Sequence, residues 1–458
     1  MFRPPAFYRS VMRYLLVFLL LNGYRVMAQS ARYDSLWANV AVEKRIVDGI
    51  ERHRKGDFTL TITAKDGKSP KNATVEIRQV THEFQFGANL FMHNGFPNET
   101  ENRQYETVFT SLFNTACLPF YWKTLEPERG KLRFAANSPT IYRRPPPDPL
   151  IDFCAKNGLT PKGHTLVWDH PVHAVPDWLP TDTTEVKRLI TKRIREIAER
   201  YGNTIQTWDV VNEVLQSHNQ IPLPRQYALF AFKEAERSFP KTARLFINEV
   251  TTASWQNYRK EYSPYYLLIE NLRAKGARIG GIGLQFHFFS EQLHEDVANG
   301  KTMRPEDISN ALDLYGKFGI PLHVSEITIP TLPNNPTGLQ RQATMARNFY
   351  RLWFSHPAVE AIIWWNTVDG TAVAGEDKWN GGLVNRDFSP KPAHVVLDEL
   401  INKTWKTSLT KTLDGPDKLT FRGFYGEYKI TVRTGKTVVE RTVKLTKSGP
   451  KTVAIDLN

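Results

Sequence analysis

Between residues 84 and 366 the chain repeats one theme, a short apolar run followed by a longer stretch with one apolar face. The apolar runs fall at 84–90, 112–118, 159–168, 205–212, 243–249, 279–286, 319–326 and 360–366. Their lengths suit buried strands, and β-branched and aromatic types such as Thr207, Trp208, Val210 and Val211 suit the same role. Stretches between them, for example 186–201 and 226–238, keep a helical spacing of apolar positions. Eight such units in succession predict an α/β fold, a (β/α)8 TIM barrel rather than an open doubly wound sheet.

The flanks follow other patterns. Leu36, Val40, Val42, Ile46 and Ile50 predict one helix over 31–56, ended by Gly56. Residues 58–63 and 73–78 alternate apolar and polar positions around a turn at Asp66-Gly67, which predicts a β-hairpin packed at the floor of the barrel. After Leu400 the helical period stops. Runs at 418–422, 427–433, 438–445 and 452–456 predict a small C-terminal β-sandwich, whose core would hold Phe421, Phe424, Tyr425 and Tyr428. The predicted division is a signal peptide at 1–28, a helix and hairpin extension at 29–83, the barrel at 84–404 and the sandwich at 405–458.

Residues 1–28 carry Arg3, Arg9 and Arg13, then an apolar run from Tyr14 to Leu21, then Val26-Met27-Ala28. That order is the pattern of an export signal and places the protein in a secreted, periplasmic or extracellular setting, with no membrane attachment after cleavage. The run is short for a spanning helix. The formal charge of +13 loses four arginines with this segment, leaving +9. Lys and Arg are scattered, without a basic helix or zinc-knuckle spacing, which argues against nucleic-acid binding. No glycine-rich phosphate loop follows a predicted strand, so no nucleotide cofactor is expected. Cys117 and Cys154 read as buried thiols or as a single bridge, and they do not make a metal site.

Candidate chemistry lies at the C-terminal ends of the predicted strands, where α/β barrels place their active sites. Gly163-His164-Thr-Leu-Val-Trp168 ends the third strand and Trp208-Asp209-Val-Val-Asn212-Glu213 the fourth. Gly283-Leu-Gln285-Phe-His287 ends the sixth, His323-Val-Ser-Glu326 the seventh, and Trp364-Trp365-Asn366 the eighth. Polar groups on otherwise apolar strands must find partners at a common mouth. Two carboxylates there, Glu213 and Glu326, suit glycoside hydrolysis if one is protonated while the other is ionised. Glu213, backed by Trp208, is the expected acid; Glu326, near His287 and Asn212, is the carboxylate expected to stay ionised. Eleven Trp and 17 Tyr supply rings of the kind that stack on sugars, or fill a core.

Taken together, these motifs resemble glycoside hydrolase family 10, the retaining endo-β-1,4-xylanases, over roughly residues 84–400. Glu126-Pro-Glu-Arg-Gly130 and Asp387-Phe-Ser-Pro-Lys-Pro392 also match. The resemblance implies Glu213 as acid/base and Glu326 as nucleophile. It implies Asn212 on the sugar 2-hydroxyl, His287 orienting the nucleophile, and His164, Trp168 and Gln285 around the cleaved sugar. Asp209 would support His164, and Trp365 and Trp379 would give aromatic surface. A monomer acting on plant cell-wall xylan or a related β-glycan, without metal or cofactor, is implied. The chain departs from the family in the stretch Cys117-Leu-Pro-Phe-Tyr-Trp122, where a Glu-Asn pair and a Lys are missing. It departs again at Asp169-His170-Pro171, at Thr328, and in the spacing of the aromatic lid, a place that Trp379 would take.

Overall fold

The structure is a computed structural model that describes residues 29–63, 70, 72–216, 223–413 and 418–457. The expected export segment at 1–28 and the turn at Asp66-Gly67 lie outside these residues.

Chain order begins with helices Ala31–Trp37 and Val40–Arg54, then strands β1 (Lys55–Thr63) and β2 (Ala73–His82). The expected single helix is two, because Asn39 turns extended and caps the second one, its side chain accepting from the Ala41 N–H. Gly56 lies in β1 rather than ending the helix.

The eight apolar runs form strands β3 (Gln85–Asn89), β4 (Thr115–Pro119), β5 (Thr160–Trp168), β6 (Thr207–Asn212), β7 (Arg244–Glu249), β8 (Gly281–His287), β9 (Leu322–Thr328) and β10 (Val359–Trp364). They pair in chain order, all parallel, and β10 closes on β3 with Ala361 opposite Gln85. Helices such as Glu99–Leu112, Thr183–Tyr201 and Pro336–Ser355 form the outer ring. Their apolar stripes pack on the strands in one continuous core that includes Phe109, Ile194, Trp208, Phe286 and Trp353.

After the barrel come β11 (Ser408–Leu413), β12 (Lys418–Phe424), β13 (Gly426–Thr434), β14 (Thr437–Leu445) and β15 (Thr452–Asp456). Here the hairpin expectation is corrected. β1 pairs with β12 and β15, whereas β2 pairs with β11 and β13, so the two N-terminal strands belong to different sheets. A three-stranded sheet in the order β12-β1-β15 faces a four-stranded sheet in the order β11-β2-β13-β14. Their shared core takes Phe58, Leu60, Val75 and Ile77 from the N-terminal strands and Phe421, Tyr428, Ile430 and Ile455 from the C-terminal ones. The alternation at 58–63 and 73–78 reported an inward face correctly. It could not report which strand lies alongside. Phe421, Phe424 and Tyr428 are buried and Tyr425 packs against the core, so these rings serve packing.

This sandwich sits at the floor of the barrel. β2 runs directly into the N-terminal end of β3, and the Arg54 guanidinium donates to the carbonyls of Phe354, His356 and Val359 ahead of and within β10. The C-terminal ends of the strands, where the candidate residues lie, are therefore at the opposite mouth. Cys117 and Cys154 are both buried free thiols, without a bridge between them. No helix among the described residues is long and apolar enough to cross a membrane.

Candidate active site

A cleft of about 470 Å³ opens at the C-terminal mouth. Trp168 (β5), Asn212 (β6), Gln285 and His287 (β8), Glu326 (β9) and Trp365 after β10 all line it, together with His164 and Glu213. Two glycines make room for this arrangement. A Cβ on Gly163 would stand 2.2 Å from the Trp208 ring, and one on Gly283 would stand 2.1 Å from Asn248 Oδ1. The small residues at the starts of the two motifs thus let neighbouring strands carry a bulky ring and a buried amide.

One amide joins the two carboxylates. Gln285 Nε2 donates to Glu213 Oε1 at 3.0 Å and to Glu326 Oε1 at 3.1 Å, with Asn212 Oδ1 at 3.3 Å. These two oxygens therefore lie no farther apart than the two bond lengths laid end to end. The two protons of one amide nitrogen point about 120° apart, which sets these nearest oxygens roughly 5 Å from each other, as the close spacing of a retaining pair requires.

Glu326 is held from three sides. Besides Gln285, Asn248 Nδ2 donates to its Oε1 at 2.7 Å, and His287 Nε2 lies 3.2 Å from Oε2. His287 Nδ1 meets the Thr328 hydroxyl at 2.9 Å, and the His287 N–H donates to Thr251 Oγ1 at 2.7 Å. His164 stands behind, Nε2 3.9 Å from Glu326 Oε1, with Nδ1 2.9 Å from Asp209 Oδ2. Asp209 is fully enclosed. Burial pushes its carboxyl up, but Lys162 at 3.0 Å and His164 outweigh that and hold it below the usual range.

Glu213 sits just past the end of β6 in a left-handed conformation, φ +55°, which is costly for a side chain with a Cβ. Its N–H donates to the Asn248 carbonyl at 2.9 Å. The turn that follows, Val214–Gln216, is fixed by Glu249 at the end of β7, whose Oε1 accepts from the Leu215 N–H at 3.0 Å. Although Glu213 keeps a partial opening to the cleft, protein crowds its carboxyl. Burial first, and the nearby Glu326 charge second, push it up to about 8. Burial likewise raises Glu249, to about 7.

Asn248 and Glu249 are the residues that sequence reasoning missed. The fifth predicted strand ended on the same Asn-Glu pair as the fourth, and that repetition was the available signal. Asn248 is fully buried, accepts from the Ser325 hydroxyl at 2.5 Å and donates to Asn212 Oδ1 at 2.7 Å. Arg143, Arg144 and Glu376 also line the cleft without having been singled out. Trp379 is placed elsewhere. It is buried and outside the lining, stacked at 6.4 Å and 30° on Phe289, which does reach the cleft. Among the described residues no cluster of His, Cys, Asp or Glu is arranged to hold a metal ion.

Comparisons with known proteins agree with this geometry. The profile of glycosyl hydrolase family 10 matches residues 79–399. Anti-sigma-I factor RsgI6 of Acetivibrio thermocellus is 25% identical over 418 residues, covering 89% of this chain and 48% of that protein. Endo-1,4-beta-xylanase 2 of Arabidopsis thaliana is 26% identical over 414 residues, covering 88% of this chain and 35% of that one. The chain thus spans about half or less of the length of these two relatives. Xylanase 10B from Thermotoga maritima superposes with a TM-score of 0.57 at 22% identity, over 70% of this chain and 96% of that structure, a likeness of fold. With the matched profile spanning most of the chain and both strand-end carboxylates in one cleft, the chain belongs to glycosyl hydrolase family 10.

Proposed function

We propose that the chain is a secreted, monomeric retaining endo-glycosidase that cuts β-1,4 linkages in xylan by double displacement. The observation that carries this reading is the single Gln285 amide bonded to both carboxylates, because it brings one oxygen of each to the close spacing that a retaining pair uses. Glu326 is the nucleophile. Asn248, Gln285 and His287 aim its oxygens, and the Thr328 hydroxyl on Nδ1 leaves the Nε2 proton of His287 for Glu326. Glu213, protonated up to about pH 8, gives its proton to the leaving oxygen as Glu326 bonds the anomeric carbon.

The same electrostatics reverse Glu213 for the second step. Once Glu326 is esterified its charge is gone, and with it the second-largest cause of the raised Glu213 value. Glu213 then releases its proton more readily and serves as the base that activates water. Asn212 accepts from Asn248 and Gln285 through its carbonyl oxygen, which leaves Nδ2 to donate toward the sugar 2-hydroxyl. Trp168 and Trp365 supply flat apolar surface for the sugar faces.

A second reading, a sugar-binding barrel without turnover, is favoured by the regulatory name of the relative RsgI6. The paired carboxylates count against it, since binding alone needs no raised acid beside a fixed nucleophile. Reducing-sugar release from a panel of β-glycans separates the two. Hydrolysis with the new hemiacetal formed as the β anomer supports the first reading; binding without release supports the second.

A further inference from the structure

The wall of the cleft beside β4 is built from rings and two arginines. Phe91, Tyr121 and Trp365 form an aromatic cluster, Phe91 against Tyr121 at 5.9 Å and against Trp365 at 5.1 Å. The Arg144 guanidinium lies over the Tyr121 ring at 4.1 Å, and the Tyr121 ring meets His164 at 5.4 Å. This puts a cation within two rings of the reaction centre.

The two arginines are not alike. Arg143, in a left-handed conformation at φ +58°, is spent on structure: Nη1 donates to the Thr371 carbonyl and Nη2 to Asn366 Oδ1, both at 2.5 Å. Arg144 makes one hydrogen bond among the described residues, from Nη1 to the Arg143 carbonyl at 2.9 Å. Its Nε and Nη2 have no acceptor among the described residues, although only 8% of the residue is exposed and that surface lines the cleft. Neither arginine has a carboxylate within ion-pair distance among the described residues. The nearby Glu376 accepts instead from Asn366 Nδ2 at 3.1 Å. Burial lowers Arg144 to about 10, which leaves it cationic at neutral pH. Two adjacent buried cations with no ion-paired carboxylate, offset only by the through-space attraction of Glu376, are costly unless a further anion compensates them.

We propose that Arg144 is a specificity determinant that takes the carboxylate of a hexuronate side group carried by the β-1,4-glycan. This rests on the glycosidase reading above and names its substrate more narrowly. A planar guanidinium with Nε and Nη2 free presents the fork that binds a carboxylate in bidentate fashion. The requirement for such a fork is local, because Glu326 and Glu376 face the same cleft and would otherwise repel an acidic chain. The basic balance of the whole chain, pI near 9.5, favours approach of an acidic polymer. Neutral xylan would use the aromatic wall and leave the fork to water.

The test compares hydrolysis of a linear xylooligosaccharide with that of the same chain bearing one glucuronic acid. The wild-type protein should favour the acidic substrate at least about tenfold in kcat/KM, and its products should carry the uronate at one fixed position relative to the cut. Arg144→Gln should lose about 10- to 100-fold more on the acidic substrate than on the neutral one, the range for a hydrogen-bonded charge. Arg144→Lys, which keeps charge without the fork, should fall between. Equal losses on the two substrates, or a wild-type protein that hydrolyses neutral chains as well as acidic ones, would overturn the assignment while leaving the glycosidase reading intact. The wild-type comparison needs no variant to fold. Hydrolysis of neither substrate would remove the glycosidase reading and this one with it.

Discussion

On the floor of the cleft, Glu326 accepts from Asn248, Gln285 and His287, and each of these is held by a further protein group. On the wall beside it, Arg144 has a single backbone acceptor among the described residues and rests on the Tyr121 ring. Both regions are buried and both carry charge, so burial does not explain the difference. The floor must hold reacting atoms to within a fraction of an ångström whatever sugar arrives, and internal partners do that. A wall that reads the sugar must leave donors unspent, because the substrate completes them. The contrast predicts that floor substitutions damage every substrate alike, whereas wall substitutions discriminate between substrates.

The largest effect expected is from Glu326→Ala. On the proposed mechanism no intermediate forms without Glu326, and turnover should fall by orders of magnitude on neutral and acidic substrates equally. A residual rate that depended on the substrate's charge would break the comparison. Next is Asn248→Ala, which removes a 2.7 Å donor from Glu326 and leaves Ser325 and Asn212 short of a partner. About 10- to 100-fold should be lost in kcat, again on all substrates. An Asn248→Ala enzyme with normal kcat would place the control of Glu326 elsewhere.

The pH dependence follows from the acid. The proposed mechanism needs protonated Glu213, so kcat/KM should decline as pH rises through about 8. In Glu326→Gln the neighbouring negative charge is absent, and a carbon-13 titration should find Glu213 below that value. An unchanged titration would mean that burial alone raises it and that the proposed reversal between the two steps lacks its cause. The smallest effect belongs to Thr328→Ala, which removes a neutral hydroxyl from His287 Nδ1. It should cost only a fewfold in kcat/KM, on both classes of substrate.

The barrel was legible in the sequence because each of its strands is buried on both faces and is bounded by helical periodicity. All eight runs became strands within a few residues of their predicted limits. Glu213, Glu326, Gln285 and His287 were legible for a related reason, since polar groups at the ends of apolar strands have only one mouth to share. Strand partnership was not legible. β1 and β2 are ten residues apart in the chain yet lie in facing sheets, and alternation carries no record of which backbone lies alongside. For the same reason the C-terminal strands looked self-contained. Truncation after residue 405 would strip β1 and β2 of every partner strand and expose Phe58, Leu60 and Ile77, so it should destabilise the protein. Arg144 went unnoticed because its place depends on a proline-flanked loop folding over Tyr121, a long-range contact without local periodicity. Trp379 was misplaced because an aromatic at nearly the right spacing does not fix which way its loop turns.

The central claim is that the two carboxylates on the floor have different roles in a retaining reaction, and Glu213→Ala tests it most directly. Without its acid the enzyme should be severely impaired on substrates with poor leaving groups. An activated aryl glycoside needs little protonation and should still form the intermediate on Glu326. Release of that intermediate would then be slow for want of a base, and added azide should restore turnover by attacking the anomeric carbon. The measurement is the anomeric configuration of the glycosyl azide formed. The account predicts the β-azide, two inversions giving net retention. An α-azide, or no rescue by azide in Glu213→Ala, would contradict the assignment of roles on the floor of the cleft.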